Sequence, residues 1–331
     1  MKLYEFVSKL DYGFLVGAAR LPRPIALLCC FLRALFRFSF NLEWRSYALS
    51  HRYVRQATDS CYRTLQSGPE TMFASLQRMA WVFGRFWVES VEEFDVVRLA
   101  RLGLRAGDCF VTWREACASE SLRDSNDLTL QPPSKHSGIV LLTAHLESLY
   151  IPLCHLATQG RPIYLAATQI IESPQLPVSI GEHFKLKKQV LERHLGRDHV
   201  VYVEHGMYRL ARALRDGAIV VIACDSPSPQ GSRGIEVSFL GKHVLMAEGP
   251  RWLAMMARAQ LALMTVKRFG FWHYDLQISI YRESENRVLD ADALSVDASI
   301  DAAYRDLTEV IMEAPWRWWA ADLATQYREP T

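Results

Sequence analysis

Histidine is the one side chain that ordinarily gains and loses a proton near neutral pH, which suits it to general-base work. Among the ten histidines of this chain, His145 has the most informative setting. Gly138 and the apolar or β-branched run Ile139 to Thr143 read as a buried strand, and Ala144-His145 closes it. Leu146, Leu149, Leu153 and Leu156 then recur at helical spacing. A histidine between a buried strand's carboxyl end and a helix start is where open α/β sheets build sites. Its plain structural alternative is a local cap or hydrogen bond.

Glu147 is the nearest acid. If residues 145–147 are loop, a turn can bring its carboxylate to the imidazole. On a regular helix residues two apart face apart, and Glu147 would instead complement the helix dipole. Asp225 ends a second buried-strand run, Ala218 to Cys224, and precedes a polar loop, Ser226 to Gly234 (SPSPQGSRG). Gly231 and Arg233 in that loop offer backbone N–H groups and a guanidinium suited to a phosphate. Asp225 can equally hold the loop by capping it. Thr168 and Gln169 follow a third strand pattern at the same predicted sheet edge.

Other chemistries are argued against by what is missing. There is no GxSxG elbow, P-loop, GxGxxG turn or HExxH pair. The glycines at 231 and 234 precede a β-like run, Ile235 to Leu240, and so do not form a dinucleotide turn. The seven cysteines are scattered, odd in number and without zinc spacing, which predicts reduced thiols and no metal. A net charge of +2 argues against bulk nucleic-acid binding.

These groups need a scaffold. The length of 331 residues, with 50% hydrophobic and 22% charged residues, suits one large α/β domain with an appended helical region, or two modest domains. Strand patterns fall at 139–143, 163–167, 199–204, 218–223, 235–240, 261–267 and 274–281. Helix patterns fall near 147–158, 184–195, 206–215, 249–258 and 298–313. This alternation predicts a mixed, largely parallel sheet flanked by helices over 138–331. Residues 117–137 are polar and contain Pro132-Pro133, and read as a linker. Residues 41–116 read as helical, broken at Ser67-Gly68-Pro69.

Residues 1–40 carry six Lys/Arg against two Asp/Glu. Pro24 to Phe40 is apolar apart from Arg33, Arg37 and Ser39, and too interrupted for the ~20 residues that spanning needs. The expectation is an in-plane membrane anchor, its arginines snorkelling to anionic headgroups. The alternative is an ordinary core helix.

Taken in order, these pieces resemble the late lipid A acyltransferases, the lauroyl/myristoyl transferase branch of the lysophospholipid acyltransferase-like superfamily. The matching stretches are Arg20-Leu21-Pro22 before an apolar helix, His145 after its strand, and Gly206 to Gly217 ahead of the 218–223 strand. Asp225, the Gly231 to Gly241 loop and strand, Gly249-Pro250 opening a helix, and Pro315-Trp316-Arg317-Trp318-Trp319 complete them. The resemblance implies a glycerolipid acyltransferase-like fold and transfer of a fatty acyl group from an acyl carrier protein or coenzyme A thioester. The acceptor would be a hydroxyl or amine of a lipid-like molecule, at the cytoplasmic face of a bacterial inner membrane, with no further cofactor. It also implies that His145 is the base and that residues 225–234 shape the acceptor or phosphate site. The family pairs its histidine with an acid five positions on; here that position is Tyr150, which leaves Glu147 as the expected orienting acid. A homologue that binds lipid or acyl carrier but has lost catalysis is the other reading.

Overall fold

The computed structural model describes residues 2–40, 51–66, 68–69, 71–117, 137–169, 178–229, 234–269, 273–282 and 291–330. Helices α1 (Lys2–Ala18), α2 (Arg23–Phe40), α3 (His51–Leu65) and the long α4 (Met72–Leu102) form the front. Then come β1 (Cys109–Cys117), β2 (Ile139–Thr143), α5 (Tyr150–Ala157), β3 (Ile163–Ala167), α6 (Val178–Leu195) and β4 (Val200–Tyr202). The chain continues through α7 (Val203–Arg215), β5 (Ile219–Ala223), β6 (Gly234–Phe239), β7 (Lys242–Ala247), α8 (Gly249–Ala257), β8 (Gln260–Phe269), β9 (His273–Arg282) and α9 (Ala291–Glu313). Two short 3-10 turns, Pro315–Arg317 and Ala321–Gln326, end it.

Seven strands form one sheet in the order β1-β9-β8-β2-β5-β3-β4, parallel except for the β8/β9 pair. The expected α/β architecture with a mostly parallel mixed sheet is therefore present. Strand side chains alternate between its two faces. Val140, Leu142, Val220, Ile222, Leu261 and Leu263 enter one core, with α7, α8 and α9. Ile139, Leu141, Ile219, Val221, Ala262 and Met264 enter the other, with α4, α5 and α6. Burial on both faces is why these strands read as unbroken apolar runs rather than as alternating ones.

Two strands lie where none was expected. Cys109–Cys117 pairs in parallel with β9, so the region expected to be helical to residue 116 ends instead at Leu102. Its half-buried, alternating character (Cys109 and Trp113 buried, Phe110 exposed) is that of an edge strand. Lys242–Ala247 pairs with β6 in a separate two-stranded hairpin, closed by Leu240-Gly241, both at positive φ. In the other direction, the expected strand at 199–204 shortens to Val200–Tyr202 because α7 starts at Val203.

Gly138 shows how tightly the central strand is set. A Cβ there would lie 2.2 Å from the carbonyl oxygen of Leu214 at the end of α7. That contact is with backbone, so relief requires α7 to move away from β2. Gly138→Ala is expected to destabilise the fold by about 3 kcal/mol, read as a lowered denaturant midpoint at unchanged slope. An unchanged midpoint would show that the helix end yields freely.

The amino-terminal helices are arranged with charge inside. Arg33 and Arg37 are buried: Arg33 bonds Asp11 at 2.6 Å through Nε and Glu93 at 2.5 Å, and Arg37 faces Glu89 at 3.4 Å. The arginines expected to snorkel outward therefore point to carboxylates of α1 and α4. Phe6, Leu10 and Phe14 of α1, and Ile25, Leu28, Leu32, Leu35 and Phe36 of α2, are exposed instead. Their spacing of three and four residues makes an outward apolar stripe on each helix. Among the described residues, no helix is long and apolar enough to cross a membrane.

Candidate active site

β2 and β5 are adjacent and in parallel register, with Thr143 opposite Ala223. Cys224 N–H donates to the Thr143 carbonyl at 2.7 Å, so the register persists past the strand ends. Two residues beyond that pair, His145 and Asp225 leave neighbouring strands at the same level. The His145 ring Nδ1 lies 2.9 Å from Asp225 Oδ1 and 3.1 Å from Oδ2, and the His145 backbone N–H donates to Oδ2 at 2.9 Å. The carboxylate that meets the His145 ring is thus that of Asp225, which the sequence suggested as a substrate-binding residue or a loop cap.

Asp225 is fully buried, at 0% exposure. Burial alone would raise its pKa; the imidazole, its hydrogen bonds and the Trp318 indole N–H outweigh that and hold the carboxyl below its usual range. Trp318 Nε1 donates to Asp225 Oδ2 at 2.8 Å, and Tyr327 donates its hydroxyl to the Asp225 carbonyl at 2.8 Å. Tyr304 donates likewise to the neighbouring Cys224 carbonyl at 2.6 Å. With Nδ1–H given to the carboxylate, the imidazole keeps its lone pair on Nε2.

The carboxy-terminal segment is built into this loop. Trp319 N–H donates to the His145 carbonyl at 3.1 Å, and Glu147 N–H donates to the Arg317 carbonyl at 3.0 Å. Leu146 and Trp318 form an isolated antiparallel bridge, and the Trp319 ring meets the imidazole edge-on at 4.8 Å. The sequence marked this tryptophan-rich run only as a family likeness. Its contact with the site had no local signal, since 93 residues separate Trp318 from Asp225.

Glu147 does something else. Its carboxylate is buried, 3.4 Å from Arg317 Nε and 4.0 Å from Arg268 Nε, and its backbone is left-handed at φ 51°. Burial raises its pKa, with Arg268 and Arg317 offsetting part of the rise. Left-handed backbone is uncommon for a residue with a Cβ and costs on the order of 1 kcal/mol. The ion pairs tie the His145 loop to the end of β8 and to the terminal segment. Glu147 is a structural bolt beside the histidine rather than its partner. Tyr150, the residue in the family's acid position, lines the same cavity as His145 and meets the Lys187 ammonium, which stands 5.1 Å from its ring centroid.

His145, with 27% of its side chain exposed, opens onto a cavity of about 550 Å³. The cavity runs across the carboxyl ends of β2, β3 and β5, and its lining is mainly apolar. Thr168, Ser226, Gly249, Pro250 and Trp319 are part of the wall. Gln169 does not line it; its backbone N–H donates to Glu204 at 3.0 Å. Gly231 and Arg233 lie outside the described residues. Among the described residues no group of histidine, cysteine and acidic side chains is placed to hold a metal ion.

The chain matches no protein-family model, and no curated protein is significantly similar to it.

Proposed function

We propose that this protein is an acyltransferase of the late lipid A acyltransferase kind, moving a fatty acyl group from an acyl carrier protein or coenzyme A thioester to a hydroxyl or amine of a lipid-like acceptor. The observation that carries the reading is the His145–Asp225 pair opening onto a large apolar cavity. A buried carboxylate fixing Nδ1 leaves Nε2 to take a proton from the acceptor. The acceptor oxygen or nitrogen bonds to the thioester carbonyl carbon while its proton passes to Nε2. The tetrahedral intermediate then collapses, the carbon–sulfur bond breaks, and the imidazolium returns the proton to the departing thiolate. Asp225 stabilises the imidazolium throughout, and Trp318 and the His145 N–H keep that carboxylate in place. The start of α8, at Gly249-Pro250 in the cavity wall, turns a helix's positive end toward the site, which favours the oxyanion.

The resemblance in sequence and the apolar outward stripes of α1 and α2 support association with the cytoplasmic face of a bacterial inner membrane. An exposed apolar surface of this regularity on a soluble monomer is unusual, and a lipid surface would cover it.

The test is an acyl-transfer assay with the full chain, using acyl-coenzyme A and acyl carrier protein thioesters against glycolipid, lysophospholipid and long-chain amine acceptors. Acceptor-dependent thiol release with acylated product is expected. Tight donor binding with no transfer to any acceptor, water included, would support a lapsed binding homologue instead.

A further inference from the structure

The cavity wall comes from both faces of the sheet, and its two ends differ in chemistry. Toward α7 and α8 it is closed by Met207, Gly249 and Pro250. Toward α4, α5 and α6 it is closed by Leu153, Phe184 and Leu191 together with Glu92, Tyr150 and Lys187. The last three are polar groups, with Lys188 beside them, at one end of a mainly apolar chamber. Glu92 and Lys187 are buried, their Oε1 and Nζ 3.1 Å apart. The ammonium stands 5.1 Å from the Tyr150 ring centroid and 5.5 Å from that of Phe184.

Donor counting shows unused capacity. An ammonium has three N–H bonds and a phenol one O–H. Glu92 takes one of the three, and the Tyr150 oxygen can take at most one more. At least one N–H is left without an oxygen acceptor, facing the aromatic rings in a mainly apolar wall. Burying an ion pair beside a chamber meant only for hydrocarbon is costly, and Leu, Met or Phe there would be cheaper. The charge count narrows the ligand further. Lys187 is neutralised by Glu92, and the neighbouring Lys188 faces Glu192 at 4.0 Å, so an anionic group entering this end would bring an uncompensated charge. A neutral oxygen would not.

We propose that this end of the cavity accepts an acyl chain bearing an uncharged oxygen substituent, a hydroxyl or oxo group, held by the Lys187 ammonium and the Tyr150 hydroxyl. The inference rests on the acyl-donor reading above and specifies its substrate class. Tyr150 stands where the resembling family places its acid, five residues after the histidine. In this chain that position serves recognition, while Asp225 supplies the carboxylate.

The experiment measures dissociation constants of the full chain, in detergent, for dodecanoyl-coenzyme A and for isomers hydroxylated at different chain positions. A site built to hydrogen-bond an oxygen penalises a ligand that lacks it. At least one hydroxylated isomer is expected to bind about 10-fold or more tightly than the plain chain, and Lys187→Met and Tyr150→Phe to collapse that ratio toward one. Tyr150→Phe keeps the ring and the packing, and so guards against a folding failure at Lys187. Equal affinity for plain and hydroxylated chains would overturn this proposal and leave the acyl-donor reading standing. Survival of the preference in both variants would also overturn it. Failure of every thioester to bind would remove both.

Discussion

Asp225→Asn is expected to lower the acyl-transfer rate about 1000-fold while leaving the fold nearly as stable, a loss within the range that general-base catalysis supplies. The carboxylate accepts from the His145 backbone N–H, from Nδ1 and from the Trp318 indole, so each of these three partners is a donor. An asparagine has only one acceptor oxygen. If that oxygen stays with the backbone and the indole, its NH2 faces Nδ1 and drives the ring proton to Nε2, where the lone pair is needed. Single-turnover rates and denaturant midpoints for Asp225→Asn, His145→Ala and Glu147→Gln separate the roles. His145→Ala is expected to match Asp225→Asn in rate, since the two act as a unit. Glu147→Gln is expected to do the opposite, costing about 3 kcal/mol of stability by leaving Arg268 and Arg317 without their shared carboxylate. Its folded fraction should retain most of the rate. A rate within threefold of wild type for Asp225→Asn would end the assignment of that carboxylate.

The second large effect concerns membrane partition. Each exposed leucine or phenylalanine that enters an interface is worth about 1.5–3 kcal/mol. Leu10, Leu28 and Leu32 are each more than half exposed and lie on the outward stripes of α1 and α2. Changing all three to Glu is therefore expected to reduce binding to phosphatidylethanolamine/phosphatidylglycerol vesicles by on the order of 100-fold or more. Stability should hold, because exposed positions tolerate substitution. Arg33→Leu gives the contrasting case: it strands Asp11 and Glu93 and should unfold the helical front rather than weaken lipid contact. Vesicle flotation and thermal melts on the same samples distinguish the two. Undiminished flotation of the triple variant would show that the stripe faces something other than lipid.

The sheet was legible because its central strands are buried on both sides, and apolar runs such as IVLLT and IVVIA have no other use. The edge strand at Cys109–Cys117 was not, because half-burial and a central Arg-Glu pair give it neither a continuous apolar run nor a helical stripe. The arginines of α2 were misjudged for a related reason. Periodicity places charge on a face of the helix but says nothing about which face meets the neighbour. Carboxylates at Asp11, Glu89 and Glu93, on two other helices, drew that face inward.

By itself the sequence determined that His145 ends a buried strand, that Asp225 ends another, and that a tryptophan-rich run closes the chain. It could not decide which strands are neighbours. Spacing along the chain points to Glu147, the acid nearest His145 in sequence. The tertiary structure places β5 between β2 and β3, so Asp225, 80 residues on, lies at hydrogen-bond distance from the imidazole. Strand order is fixed by packing two helical layers onto one sheet, a long-range outcome that no short spacing encodes. Glu147 was captured in the same way by Arg268 and Arg317, whose approach depends on where β8 and the terminal segment come to rest.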